Sequence, residues 1–233
     1  MVISGSSIAL FCAEWHRVDE AQRLLEQQAR LMQFSEIVLA SSRPPARSSA
    51  GITLHLSSSA GTWADYQRFM LRLNDYVTSP HVLVIQLDGH ILHPELWSDE
   101  FLNYDYVGAP WPDDPSWIEA QFPLTRSIFL ANEKRCRVGN GGFSLRSRRF
   151  LEYAASFEDT GGYGEDAFLC IHNYRVALER GVRFPSVQTA MRFSIENPIR
   201  ELNCRWPEMS GEFKAHRSFG WHTHAGWRPP AGT

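Results

Sequence analysis

Apolar runs and apolar stripes alternate along the first ninety residues. Residues 8–13 form a short unbroken apolar run, which predicts a buried strand. From 18 to 33 the apolar positions are Val18, Ala21, Leu25, Ala29 and Met32, a helical spacing. Residues 36–40 and 51–56 predict two more strands, separated by a loop at 41–50 rich in Ser, Pro and Arg. The cleanest helix is predicted over 63–77, with Tyr66, Phe69, Met70, Leu73 and Val77 on one face. Residues 81–87 are almost wholly apolar and predict a central fourth strand. The order β-α-β-β-α-β predicts a Rossmann-like α/β/α sandwich around a mixed, mostly parallel sheet. In such sheets ligands bind at the carboxyl ends of the strands, and Asp88 stands at that end of the fourth.

The second half is less periodic. A short strand is predicted at 104–109, before the turn-prone Pro110, Trp111 and Pro112. Residues 113–135 show weak periodicity and read as a long loop or lid, a class of segment that is often functional. A strand containing a glycine turn is predicted over 137–145, and helices over 146–157 and 165–178. The tail from Ile199 carries Trp206, Trp221, Trp227, His216, His222 and His224. No internal repeat or linker interrupts the chain, so 1–233 is expected to be one domain. Its nucleotide-binding half would be 1–110 and its acceptor and catalytic half 111–233.

Size and composition narrow the function. The 233 residues, 43% hydrophobic, suffice for one sizeable core. A net charge of -3, with 23 basic and 26 acidic residues intermixed, advertises no surface for nucleic acid or anionic membrane. Eight tryptophans and fourteen phenylalanines offer faces for packing and for stacking on sugars or bases. Cys12, Cys136, Cys170 and Cys204 make no zinc pattern. Cys12 and Cys170 lie in apolar runs and read as buried small hydrophobes. No apolar run approaches the roughly 20 residues of a transmembrane helix. The first thirteen residues lack the basic start of a signal peptide and read as the first core strand. The expected location is the cytoplasm, with a peripheral position at the inner membrane face also compatible.

Four local patterns offer chemistry, each with a structural alternative. Asp88, followed by Gly89, suits a single carboxylate holding Mg²⁺ or Mn²⁺ on a diphosphate, or simply a turn after a buried strand. Glu165 and Asp166 follow the flexible Gly161, Gly162, Tyr163 and Gly164. They suit a general base placed at a helix start, or acidic helix capping. Asn140, Gly141 and Gly142 could bring backbone amides close to sugar hydroxyls, or form a tight β-turn. His222 and His224 could meet a metal, or serve as packing residues.

Taken jointly, these segments carry a resemblance. The stretch 76–89 (YVTSPHVLVIQLDG), the string 104–111 (YDYVGAPW), the segment 138–146 (VGNGGFSLR), the pair Glu165 and Asp166, and Phe219, Gly220, Trp221 and His222 resemble a bacterial glycosyltransferase-like family of uncharacterised proteins. That family is classed with the type A nucleotide-diphospho-sugar transferase fold. More distantly, the chain is similar to the β-1,4-galactosyltransferases. Those share a Gly-Gly strand, an acidic turn at a helix start and a late histidine. The resemblance implies that Asp88 matches the last acid of the metal-binding Asp-x-Asp motif. It implies that Asp166 matches the acidic turn holding acceptor and base, and that His222 matches the late metal-binding histidine. Gln86 departs from the pattern, standing where the first acid of Asp-x-Asp is expected.

The expectation that follows is a metal-dependent, inverting glycosyltransferase of hexosyltransferase type. It would move a sugar from a UDP-sugar to a saccharide or glycolipid hydroxyl, in bacterial surface polysaccharide synthesis. Asp166 would be the base, and Glu165 would orient acceptor or sugar. Asp88 and His222 would hold Mn²⁺ or Mg²⁺. Gln86, Gly89, Ser42, Asn140, Gly141, Gly142 and Trp111 would bind the donor. Gln86 also motivates a second reading, a degenerate nucleotide- or sugar-binding module without turnover. A metal-dependent hydrolase using Asp88, Asp166 and the histidines would need a clustered ligand motif that the sequence lacks.

Overall fold

The computed structural model describes residues 4–57, 61–112, 137–196 and 218–222. Strand β1 (Ser4–Ala13) starts four residues earlier than the apolar run indicates, and helix α1 (Val18–Leu31) follows. Then come β2 (Gln33–Ser41), β3 (Thr53–Leu56), α2 (Trp63–Leu71) and β4 (His81–Ile85). The six-stranded sheet has the order β3-β2-β1-β4-β7-β6, where β6 is Tyr106–Val107 and β7 is Phe143–Ser147. The first four strands in that order run parallel, and β7 is antiparallel to both β4 and β6. The expected mixed, mostly parallel sheet is therefore present.

β1 shows why the pattern works. Side chains alternate across a strand, so a strand covered on both faces needs apolar residues at every position. Ile8, Leu10 and Cys12 pack with Val18, Ala21, Leu24 and Leu25 of α1. Ala9, Phe11 and Ala13 pack on the other face with Phe69 and Met70 of α2. Cys12 and Cys170 are buried free thiols, as expected, and Cys136 and Cys204 lie outside the described residues.

Several boundaries move. The helix expected over 63–77 ends at Leu71 and passes into a 3₁₀ turn at Leu73–Asp75. β4 stops at Ile85, because the Gln86 carbonyl accepts from the Gly89 amide and turns the chain. The strand expected over 137–145 begins only at Phe143. Asn140 adopts a left-handed φ of 66°, and the Gly141 amide donates to Asp166 instead of a neighbouring strand. At 146–157 the helix is α3 (Arg148–Ala154), and Arg146 belongs to β7. The helix expected over 165–178 is broken into α4 (Glu165–Ala167), a π-turn at Phe168–His172 and α5 (Tyr174–Glu179). The Leu169 and Asn173 carbonyls there lie 3.0 and 3.1 Å from the Tyr153 hydroxyl, which donates to them.

Among the described residues, two 3₁₀ turns (Pro94–Leu96 and Asp99–Asn103) and four further short elements have no counterpart in the sequence pattern. The four are β5 (Gly89–Ile91), α6 (Val187–Phe193), β8 (Ser194–Ile195) and β9 (Gly220–His222). The three strands form a second sheet of order β5-β9-β8 beside the first. Of the expected segments, 113–135 and His216, His224, Trp206 and Trp227 lie outside the described residues. No helix among the described residues is long and apolar enough to cross a membrane.

Candidate functional site

The main sheet changes direction between β1 and β4, since β2 and β3 lie on one side of β1 and β4 and β7 on the other. Loops leaving two such strands diverge and open a crevice at their carboxyl ends. A cleft of about 1080 Å³ lies there, walled by residues 14–17 after β1, Gln86, Leu87 and Asp88 after β4, and Trp63 and Tyr66 of α2. A smaller cavity of about 210 Å³ adjoins it, lined by Trp111, Asn140, Gly141, Gly142, Glu165, Asp166, Glu196 and His222. Trp63, Tyr66, Gln67 and Gln86 line both, so α2 stands at the partition between two compartments.

The small sheet delivers Asp88 and His222 to that partition. Gly89 of β5 pairs with His222 of β9, so Asp88, one residue before Gly89, lies beside the imidazole. Asp88 Oδ1 is 3.3 Å from His222 Nε2, and Glu196 Oε1 is 3.2 Å from Nδ1. These are ion-pair separations, and neither ring nitrogen has a hydrogen bond of good geometry. Burial of His222 favours its neutral form, but contact with Asp88 and Glu196 outweighs burial and pushes its pKa up to about 10. Burial likewise opposes the charge on Asp88, and His222 more than offsets it, so Asp88 stays below its ordinary value. Gly142 lies against the imidazole so closely that a Cβ there would occupy the ring's position.

The acidic pair divides its work. Glu165 is buried and accepts from the Arg146 guanidinium at 2.6 Å, with side-chain exposures of 3% and 0%. Burial pushes the Glu165 carboxyl up, against the pull of Arg146. Its second oxygen, Oε2, has no hydrogen-bond partner, nor has the neighbouring Asn140 Nδ2. Asp166 is half-buried, and its Oδ2 accepts from the Gly141 amide at 2.9 Å. Gln67 of α2 accepts from the Glu165 amide at 2.6 Å, which ties the acidic turn to the partition helix.

The fold thus brings Gln86, Asp88, His222, Asn140, Gly141, Gly142, Trp111, Glu165 and Asp166 to two adjoining cavities. Gly89 sits directly behind, pairing with His222. Ser42 is not among the lining residues, and its hydroxyl donates to the Trp15 carbonyl at 2.9 Å. Gln86 Nε2 donates to the Tyr66 hydroxyl at 2.8 Å. Trp111 lines the smaller cavity but is only 2% exposed, because its ring lies on Gly139. The accessible indole is Trp63, 57% exposed.

Trp63, Gln67, Arg146 and Glu196 were not singled out from the sequence. Gln67 stands one position from Tyr66 and two from Phe69, off the apolar stripe, so the helical spacing does not mark it for burial. Glu196 left no signal either, since its place depends on how β8 pairs with β9.

No curated protein matches the chain in sequence. Among solved structures, glucosyl-3-phosphoglycerate synthase from Mycobacterium tuberculosis in complex with UDP is similar at a TM-score of 0.50 and 15% identity, over 76% of this chain and 68% of that one. The galactosyltransferase LgtC, solved with donor and acceptor sugar analogues, gives a TM-score of 0.49 and 12% identity, over 96% of this chain and 88% of that one. At this level the likeness concerns the fold, which is the type A nucleotide-diphospho-sugar transferase fold. The family model described as protein of unknown function (DUF5672) matches residues 57–210, about two thirds of the sequence, and the chain belongs to that family.

Proposed function

We propose that this chain is a glycosyltransferase that moves a sugar from a nucleotide-diphospho-sugar, with UDP as the nucleotide, to a hydroxyl acceptor. One observation carries the reading. Asp88 and His222 meet at the junction between a cleft large enough for a nucleotide and a pocket the size of one sugar ring, and Asp166 lines that pocket. The large cleft, built from 1–110, would take the nucleotide. The small pocket, built largely from 111–233, would take the transferred sugar, with Asn140, Gly141, Gly142 and Trp111 as its wall.

The donor set suits Mn²⁺ or Mg²⁺. Such ions are often held by one or two protein ligands together with substrate phosphates. His222 Nε2 is a buried nitrogen without a hydrogen-bond partner, and it faces a carboxylate. The 3.3 Å between them is close to the roughly 3 Å that separates adjacent ligands on an octahedral cation of this size. Among the described residues no group of three or more His, Cys, Asp or Glu converges to hold an ion, so the diphosphate would complete the shell. A divalent cation there neutralises charge developing on the departing diphosphate. Gln86, held by Tyr66, adds an amide and no charge.

Asp166 would take the proton from the acceptor hydroxyl as it attacks the anomeric carbon from the face opposite the leaving group, which inverts the centre. The Gly141 amide fixes Asp166 Oδ2, and a carboxylate oxygen keeps a second lone pair for the acceptor. Glu165, locked on Arg146, keeps a buried, unpaired Oε2 beside this pocket and Asn140 a buried, unpaired Nδ2, and the two would serve a sugar hydroxyl as acceptor and donor. A saccharide or glycolipid acceptor, used in the cytoplasm for surface polysaccharide synthesis, fits this chemistry.

The test is Asp166→Asn, assayed for transfer and donor hydrolysis across a panel of nucleotide-sugars, with UDP binding followed by calorimetry. Turnover should fall about 10²–10⁴-fold, with UDP affinity unchanged. Turnover near the wild-type level would remove Asp166 as the base.

A further inference from the structure

We infer that Glu196 is a positioning residue, which holds the His222 imidazole through Nδ1 and aims Nε2 at Asp88 and the cation beside it. This rests on the cation site proposed above and extends it to a residue outside the ligand set.

The small sheet is built for this arrangement. In β5-β9-β8, His222 belongs to the central strand, Asp88 immediately precedes β5 and Glu196 immediately follows β8. Gly89 pairs with His222 on one side, and Ile195 pairs with Trp221 on the other. Ile195 and Trp221 are buried together at 2% and 1% exposure; Glu196 is the bend residue just after β8, and His222 follows Trp221, so both stand just past that pair. Glu196 Oε1 there lies 3.2 Å from Nδ1. Both side chains are nearly enclosed, with exposures of 11% and 12%. Gly142 packs against the Nε2 edge of the ring, where an added Cβ would collide with Nε2.

The chemistry explains why a carboxylate stands there. A neutral imidazole carries its proton on one nitrogen and its lone pair on the other. A ligating histidine must keep that lone pair on the nitrogen facing the cation. A carboxylate at the second nitrogen selects the Nδ1–H tautomer, fixes the ring plane and raises the basicity of Nε2. Asp88 lies on the Nε2 side and Glu196 on the Nδ1 side, so the two acids have different work.

The experiment uses the full chain with UDP and Mn²⁺ as probes. Mn²⁺ is titrated into protein saturated with UDP, followed by calorimetry and by the electron paramagnetic resonance of free Mn²⁺. UDP binding in chelator serves as the control for an intact cleft. Glu196→Ala should weaken Mn²⁺ about 10–100-fold and leave metal-free UDP binding unchanged. Glu196→Gln keeps an oxygen acceptor for Nδ1–H and should recover most of the affinity. In long-range ¹H–¹⁵N spectra of the Mg²⁺–UDP complex, wild type and Glu196→Gln should show His222 protonated at Nδ1, and Glu196→Ala a mixture of tautomers. Wild-type Mn²⁺ affinity in Glu196→Ala overturns the inference and leaves the cation site standing. Equal loss in both variants overturns it as well, because Glu196 would then act through its charge. Failure of the wild type to bind Mn²⁺ with UDP removes the cation site itself, and Glu196 would have no ligand to aim.

Discussion

Glu36 carries a negative charge into the seam between β2 and the turn that leads into β4. Its Oε1 accepts from the amides of Thr78 and Ser79, each at 2.7 Å, and from their hydroxyls at 3.1 and 2.6 Å. Partial burial would raise its pKa, but these hydrogen bonds outweigh burial and hold the carboxyl below its ordinary 4.5. A carboxylate whose pKa is lower folded than unfolded contributes stability above the unfolded value and loses it as pH falls through the folded one. Glu36→Ala should therefore cost about 1–2 kcal/mol at neutral pH, at the low end for charged hydrogen bonds because the group is partly solvated. The gap between wild type and variant should stay level well above the ordinary carboxylate pKa of about 4.3 and narrow as pH falls below it. Urea midpoints measured across that range check it, and a gap that does not narrow with acid would contradict the assignment. Arg146 and Glu165 pose the contrasting case. Both are almost wholly enclosed, and losing either partner strands a buried charge, so neither is a clean reporter of catalysis.

At the scale of elements, α2 is what makes two cavities into one site. Trp63, Tyr66 and Gln67 are spaced three and four apart, so one helical face serves all of them. Thr62 and Asp65 form a reciprocal capping box that fixes the first turn, where Trp63 stands. Tyr66 reaches Gln86 after β4, and Gln67 reaches the Glu165 amide. Gln67→Leu keeps the volume and removes the acceptor, leaving a buried amide without a partner. Such a group costs about 1–3 kcal/mol. The expected result is a lower urea midpoint together with faster hydrogen exchange at the Glu165 amide. Unchanged protection at that amide would mean that α2 does not hold the acidic turn.

The same elements show what a sequence reveals. β1 and β4 were legible because burial on both faces leaves an apolar run, and α1 because its stripe repeats over four turns. The glycine segment reads as part of a strand, whereas the Gly141 amide serves Asp166 and the left-handed Asn140 interrupts the strand before Phe143. Strands of two or three residues carry no period to detect, so β5, β8 and β9 were invisible. The meeting of Asp88, His222 and Glu196 depends on their register, and pairing between residues far apart in sequence leaves no local trace.

The whole molecule sets the electrostatic problem of its cleft. Net charge is -3, and the two compartments gather Glu14, Glu20, Asp88, Glu165, Asp166 and Glu196. Arg17 and Arg23 line the outer cleft, so positive charge is available to a diphosphate entering it. At the junction itself the nearest groups are carboxylates around one imidazole. A diphosphate lodged there would face repulsion unless a cation came with it. Native-state ligands raise stability by RT ln(1 + [L]/Kd), about 2.7 kcal/mol at a hundredfold excess over Kd. For a chain of this length that is a rise of about 5–10 °C in melting temperature. UDP with Mn²⁺ should produce a shift of that size, and UDP in chelator a clearly smaller one. His222→Ala should bring the first down to the second, because the loss falls on the cation and not on the cleft. Equal shifts with and without Mn²⁺ would place the diphosphate on the arginines of the outer cleft. No shift with UDP or any other nucleoside diphosphate would separate the fold from the chemistry proposed for it.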